Sequence, residues 1–154
     1  MAEFEYSLKK IAGDLLDSGD PETVAGAHFE TDREYSLGAD ADGAFSAVPL
    51  GALDNDYNFV GASLASSVTV TGATDAYWTL SILKYDASGA NGTTIASLDS
   101  QATITAKTSA AFTLVAGAEA LVEGGYLELV GNKATTGQSL GASRLTYKLR
   151  RRSA

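Results

Sequence analysis

The chain has 154 residues, 45% of them hydrophobic and 19% charged, which is enough apolar mass for one packed domain and too little charge for a disordered polyelectrolyte. It contains no Cys and a single His, so disulfides, thiolate metal sites and a Cys nucleophile are excluded and zinc lacks ligands. The net charge of −8 is uneven: residues 1–56 carry 13 Asp/Glu against 3 Lys/Arg, and residues 57–154 carry 6 against 8, an acidic front and a basic tail that mark either interaction surfaces or solvated termini.

The first residues, Met1-Ala2-Glu3-Phe4-Glu5, are acidic where a signal peptide would be basic, and no apolar run approaches the ~20 residues of a membrane span. The expectation is a soluble protein outside the general secretory route, with no membrane partner. Phe4, Leu8, Ile11 and Leu15 fit a helical stripe closed by Gly19-Asp20-Pro21, whereas Phe4, Tyr6 and Leu8 also alternate as an edge strand would. Residues 1–25 are therefore read as an N-terminal arm or short helix, and residues 26–154 as a β-sandwich domain. His28 to Leu37 and Ala44 to Leu50 are expected to pair as a hairpin around Asp40-Ala41-Asp42-Gly43.

Strand signals are clearer from residue 57 onward. Phe59 to Val70 is long and rich in small residues, ending in Val68-Thr69-Val70-Thr71 before Gly72. Tyr77 to Tyr85 is the strongest central strand, with Trp78, Leu80 and Ile82 on one face and Tyr77, Thr79, Ser81 and Leu83 on a half-covered other face. Asp86 to Gly92 is a loop, Thr93 to Leu98 the returning strand, and Ala110 to Val115 another strand with Phe112 and Leu114 on one face. Gly124-Gly125 introduces Tyr126 to Val130, with Leu127 and Leu129 inward and Glu128 exposed; Asn132 and Gly137 to Gly141 form the next loop. Ser143 to Arg150 alternates without a break, with Leu145, Tyr147 and Leu149 on one face. Six such strands and no helical crossover predict an all-β fold, an antiparallel β-sandwich or barrel.

Chemistry-bearing patterns are few. His28 stands without the Gly-x-Ser-x-Gly turn of a serine nucleophile, so a triad is not expected. Asp40-Ala41-Asp42-Gly43 and Asp54-Asn55-Asp56 offer oxygens at i and i+2, but neither adds the later carboxylate of a calcium loop. Gly131-Asn132-Lys133 lacks P-loop spacing, and Asn91-Gly92-Thr93 is a sequon without a signal peptide. Arg150-Arg151-Arg152 is a basic tail, yet the −8 charge opposes nucleic-acid binding, so the tail meets an acidic protein surface or solvent. Small residues Ala62, Ser63, Ala65, Ser66 and Ser67 suit either close strand approach in an oligomer or a solvated edge. Tyr57, Tyr77 and Tyr85 are the candidates for a carbohydrate-stacking platform. No enzymatic activity, cofactor or metal is expected.

The run Val68-Thr69-Val70-Thr71-Gly72-Ala73-Thr74-Asp75-Ala76-Tyr77-Trp78-Thr79-Leu80-Ser81-Ile82 is followed by Phe112-Thr113-Leu114, then Gly125-Tyr126-Leu127-Glu128-Leu129, a Gly-rich loop and the last alternating strand. In this order, over residues 45–150, the chain resembles the small head decoration (capsid cement) proteins of tailed bacteriophages. That resemblance implies a jelly-roll-like sandwich, a homotrimer on the outer surface of the virion, assembly in the host cytoplasm, and the major capsid protein as partner. It implies no active site. Phe4, Tyr6, Leu8 and Ile11 in the arm, with Arg150, Arg151 and Arg152 in the tail, become the candidate capsid or subunit contacts. The second reading is a carbohydrate- or receptor-binding sandwich of a tail fibre or baseplate.

Overall fold

Residues that alternate apolar and polar with period 2 can bury one face of a strand and solvate the other, and this chain resolves that pattern into two sheets packed face to face. The computed structural model describes residues 30–38, 45–134 and 138–152. The strands are β1 (Glu30–Leu37), β2 (Phe45–Ala52), β3 (Tyr57–Ser66), β4 (Trp78–Tyr85), β5 (Thr93–Asp99), β6 (Ser109–Ala111), β7 (Thr113–Leu114), β8 (Ala120–Leu121), β9 (Tyr126–Lys133) and β10 (Ser143–Arg151). One sheet runs β1-β10-β3-β6, with β8 also on β3; the other runs β2-β9-β4-β5-β7. All pairings between these strands are antiparallel. Successive strands alternate between the sheets except β4 and β5, which pair as neighbours in one sheet, and this is jelly-roll connectivity. The expected all-β sandwich is what the chain forms.

The core lies between the sheets where the sequence places it. Trp78, Leu80, Ile82, Leu129, Leu145 and Leu149 have no exposed surface, and Leu127 and Tyr147 almost none. Each such aliphatic side chain contributes about 1.5–3 kcal/mol through burial. A ring fills the space over one glycine: a Cβ on Gly131 would lie 2.4 Å from the Phe45 ring. That ring packs 5.8 Å, centroid to centroid, from Trp78. The two sheets are also tied by a hydrogen bond, since the Tyr147 hydroxyl of β10 donates to the Leu50 carbonyl of β2 at 2.7 Å.

Several expectations need correction. The segments expected as a hairpin do form strands, but β1 pairs with β10 and β2 with β9, in different sheets. The acidic outer row of β1 finds its complement on β10, a pairing no local turn signal encodes. Ala110 to Val115 is not one strand: β6 pairs with β3 and β7 with β5, so the chain crosses between sheets at Phe112. Phe112 is accordingly buried, and Leu114, expected on the same face, is 38% exposed. The long strand ends at Ser66, and Val70 forms an isolated bridge with Ile104. Glu128 is half-buried where an exposed position is expected. Strand β3 lies between β10 and β6/β8, so its small residues do not sit on a solvated edge. The arm boundary at residue 25, His28, Asp40-Ala41-Asp42-Gly43 and Gly137 lie outside the described residues.

The topology sorts the connections to two ends. The start of β1, residues 53–56, 86–92 and 122–125, and the end of β10 share one end; residues 67–77, 100–108 and 138–142 share the other.

Candidate interaction surface

The register of β1 against β10 sets Glu30 opposite Arg150, Asp32 opposite Lys148, and Ser36 opposite Arg144, all on the outer face. Opposite charges directly across an antiparallel pair attract. Arg150 donates to Glu30 Oε1 from Nη2 at 2.6 Å and from Nε at 3.1 Å. Lys148 bridges Glu30 at 3.3 Å and Asp32 at 3.9 Å, and Arg144 reaches Glu34 at 3.5 Å. The hydrogen bond from Arg150 and, after it, the neighbouring Lys148 hold the Glu30 carboxyl below its usual range. The acids of β1 and the bases of β10 are thus cross-strand partners.

The rest of the tail is engaged at the same end. Arg151 donates to Asn55 Oδ1 at 2.6 Å. Arg152 donates to the Leu121 carbonyl at 3.0 Å and lies 3.2 Å from Asp56 Oδ2. Asp56 Oδ1 accepts from the Glu123 N–H at 2.8 Å, and Asp54 accepts from the Tyr57 hydroxyl at 2.8 Å. That bond is the main reason the Asp54 carboxyl lies below its usual range, while burial, then Asp54, pushes the Tyr57 phenol up. The oxygens of Asp54-Asn55-Asp56 therefore cap arginines, a tyrosine and a main-chain N–H. Among the described residues no group of three or more His, Cys, Asp or Glu is arranged to hold a metal ion.

Of the candidate contacts, Arg150, Arg151 and Arg152 are brought together at the end of β10, each with a partner in its own domain. Phe4, Tyr6, Leu8 and Ile11 lie outside the described residues. The three candidate tyrosines do not share a face: Tyr57 is buried in the β10 sheet, Tyr77 precedes β4, and Tyr85 ends β4. Tyr85 instead stacks on Tyr126 of β9, with centroids 4.7 Å apart and planes 6° from parallel. A hydrogen bond to Glu128 leads in pushing the Tyr85 phenol up; burial leads for Tyr126, with Glu128 adding to it. Tyr126 was legible as a partner only through the register that sets it across from Tyr85. The signal for the charge ladder lay in the sequence, as acids at 30, 32 and 34 mirrored by bases at 144, 148 and 150.

The loop beside this pair is organised by one carboxylate. Asp86 accepts from the Ser88 N–H at 2.9 Å, the Ser88 hydroxyl at 2.5 Å, the Ala90 N–H at 3.1 Å and the Asn91 amide at 3.0 Å. The Ser88 hydroxyl, followed by Asn91, lowers its pKa to about 2. On the β10 sheet, Val60 is the unpaired extra residue of a bulge. A shallow depression of about 320 Å³ opens there between Asp32, Gly61, Ser63, Thr146 and Lys148.

Comparison with protein-family models and with curated proteins finds no match. Among solved structures, a chain in the structure of infectious bursal disease virus Gx strain is similar at 18% identity with a TM-score of 0.32, over 80% of this chain and 33% of that one. This chain thus spans about a third of that chain's length, and a likeness so partial assigns no function.

Proposed function

We propose that the protein is a structural virion protein that decorates and stabilises a phage capsid by binding the outside of the coat lattice as a homotrimer, without enzymatic activity. The observation that carries this reading is the jelly-roll connectivity of the two sheets, an architecture used by viral capsid and lectin domains. It is a fold-level warrant, joined by the sequence resemblance to phage head decoration proteins. A cement protein works through contact surface and valence: three copies docking together turn weak contacts into avidity. The test is cosedimentation of the purified full chain with empty phage heads, together with sedimentation analysis of the free protein. Saturable binding by a trimer is expected; a monomer that stays in the supernatant refutes the proposal.

One observation favours a second reading. The stacked Tyr85 and Tyr126 beside Glu128, on the outer face of the β4 sheet, combine aromatic surface with a hydrogen-bonding carboxylate, as carbohydrate-binding sites do. Binding to a glycan array that Tyr126→Ala abolishes, with no affinity for heads, establishes that reading in place of the first.

A further inference from the structure

Among the described residues the two sheets end in four edges, and three are blunted. Strand β2 carries Pro49 and two register breaks. One remaining edge is made of β6 and β8, with three and two residues, and the other ends on β7, with two. Short strands, proline and bulges are the devices by which sheets discourage edge pairing. Strand β1 has none of these three and is guarded by charge alone, on Glu30, Asp32, Arg33 and Glu34; its eight residues pair with β10 in unbroken register.

The ladder also shows which main-chain groups β1 turns away from β10. Even-numbered residues of β10 and its flanks turn toward the β3 side: the Ser67 N–H donates to the Ala142 carbonyl at 2.8 Å, and the Arg152 N–H to the Asp56 carbonyl at 3.0 Å. Antiparallel ladders alternate. Ser143, Leu145, Tyr147 and Leu149 therefore bond to Leu37, Tyr35, Arg33 and Thr31 of β1. Glu30, Asp32, Glu34 and Ser36 direct their N–H and C=O groups outward, and these are the outer-face residues that carry the acids.

The geometry points to β1 as an augmentation site for an extended segment of another polypeptide whose alternate side chains are basic and whose intervening ones are apolar. Charge complementarity selects this occupant. A second copy's β1 in antiparallel register sets Asp32 opposite Glu34, or one of these acids opposite itself, and like charges directly opposite repel. A basic row extends the order already present, base on β10 and acid on β1. Its apolar residues fall on the side of Tyr35, which packs against the core. Main-chain bonds supply affinity and alternate side chains supply selection, as in other strand additions. The inference does not rest on the virion reading.

The experiment uses the full chain and a synthetic, end-blocked peptide of residues 143–151, Ser-Arg-Leu-Thr-Tyr-Lys-Leu-Arg-Arg, which has the required chemistry. Binding is read by fluorescence anisotropy and by amide exchange. The expected result is slowed exchange at Asp32, Glu34 and Ser36. Antiparallel addition with the basic row outward bonds the peptide's basic residues to β1. N-methylation of the Arg and Lys amides then weakens binding at least about tenfold, whereas N-methylation of the Leu and Tyr amides leaves it within about twofold. The variant Glu34→Pro, which removes an outward N–H, loses binding at least about tenfold. The methylated peptides test the same point on the unaltered protein. Absence of peptide binding, equal affinity of the two methylated forms, or equal affinity for a peptide with Glu at every Arg and Lys overturns the proposal.

Discussion

The two ends of the sandwich are held by different chemistry. At the end formed by residues 67–77, 100–108 and 138–142, the ties are neutral and largely buried. Ser66 Oγ donates to the Leu140 carbonyl at 2.6 Å, the Trp78 indole N–H donates to the Gln138 carbonyl at 2.7 Å, and Val70 and Ile104 exchange main-chain bonds at 2.9 and 3.0 Å. At the other end the ties are charged and more exposed: Arg150 on Glu30 and Arg152 on Asp56 as ion pairs, and Arg151 on the Asn55 amide oxygen. Buried neutral bonds are costly to break because a stranded polar group loses water as well as its partner. Exposed ion pairs are screened and contribute little. The first end should therefore dominate stability, and the second should respond to salt and pH.

The largest expected effect is that of Trp78→Ala, which empties the site of a fully buried ring at the neutral end; it costs about 3–5 kcal/mol, measured by denaturant unfolding followed by far-UV circular dichroism. Next is Ser66→Ala, which removes the shorter of the two hydroxyl bonds to the buried Leu140 carbonyl, leaving that from Ser143 at 3.3 Å, and also removes the acceptor for the Val68 N–H; about 1–2 kcal/mol is expected in the same measurement for the two lost bonds. Tyr147→Phe sharpens the comparison from mid-molecule, since it cuts one hydrogen bond between the sheets, that to the Leu50 carbonyl, and a loss of about 1 kcal/mol is expected. At the ionic end, Arg150→Ala should move the thermal midpoint only slightly at low salt and not at all in 1 M salt. A larger shift from Arg150→Ala than from Ser66→Ala breaks the contrast between the ends.

The smallest effect is a pH response. The Asp86 carboxyl has its folded pKa lowered to about 2. A lowered carboxyl pKa contributes stability that is present above the ordinary carboxylate range and is lost as pH falls through the folded value. Amide protection of Ser88 and Ala90 should therefore decline between about pH 4 and pH 2, and Asp86→Asn should remove that dependence. Protection unchanged below pH 2 contradicts the role given to this carboxylate.

The strands from residue 57 onward were legible because period 2 is a local property. Trp78, Leu80 and Ile82, and Leu145, Tyr147 and Leu149, announce their buried face without knowledge of any partner. The expected β1–β2 hairpin failed for the opposite reason. Strand partners are chosen by long-range complementarity, and the match between Glu30, Asp32, Glu34 and the bases of β10 spans up to 120 positions of the chain. Phe112 gave no warning of a sheet crossing, since one buried ring between two short strands looks like one strand in a linear pattern. Tyr85 was visible as an aromatic; its stacking on Tyr126 was not, because register alone brings them together.

By itself the sequence determined the all-β class, the inward faces of β4, β9 and β10, and the division of charge between front and tail, because side-chain periodicity and composition act locally. Only the tertiary structure decided that the acids of β1 meet the bases of β10 across one strand pair and that β1 is the one long edge left regular among the described residues. Those facts follow from strand order and register, which are set by the packing of the two sheets as a whole.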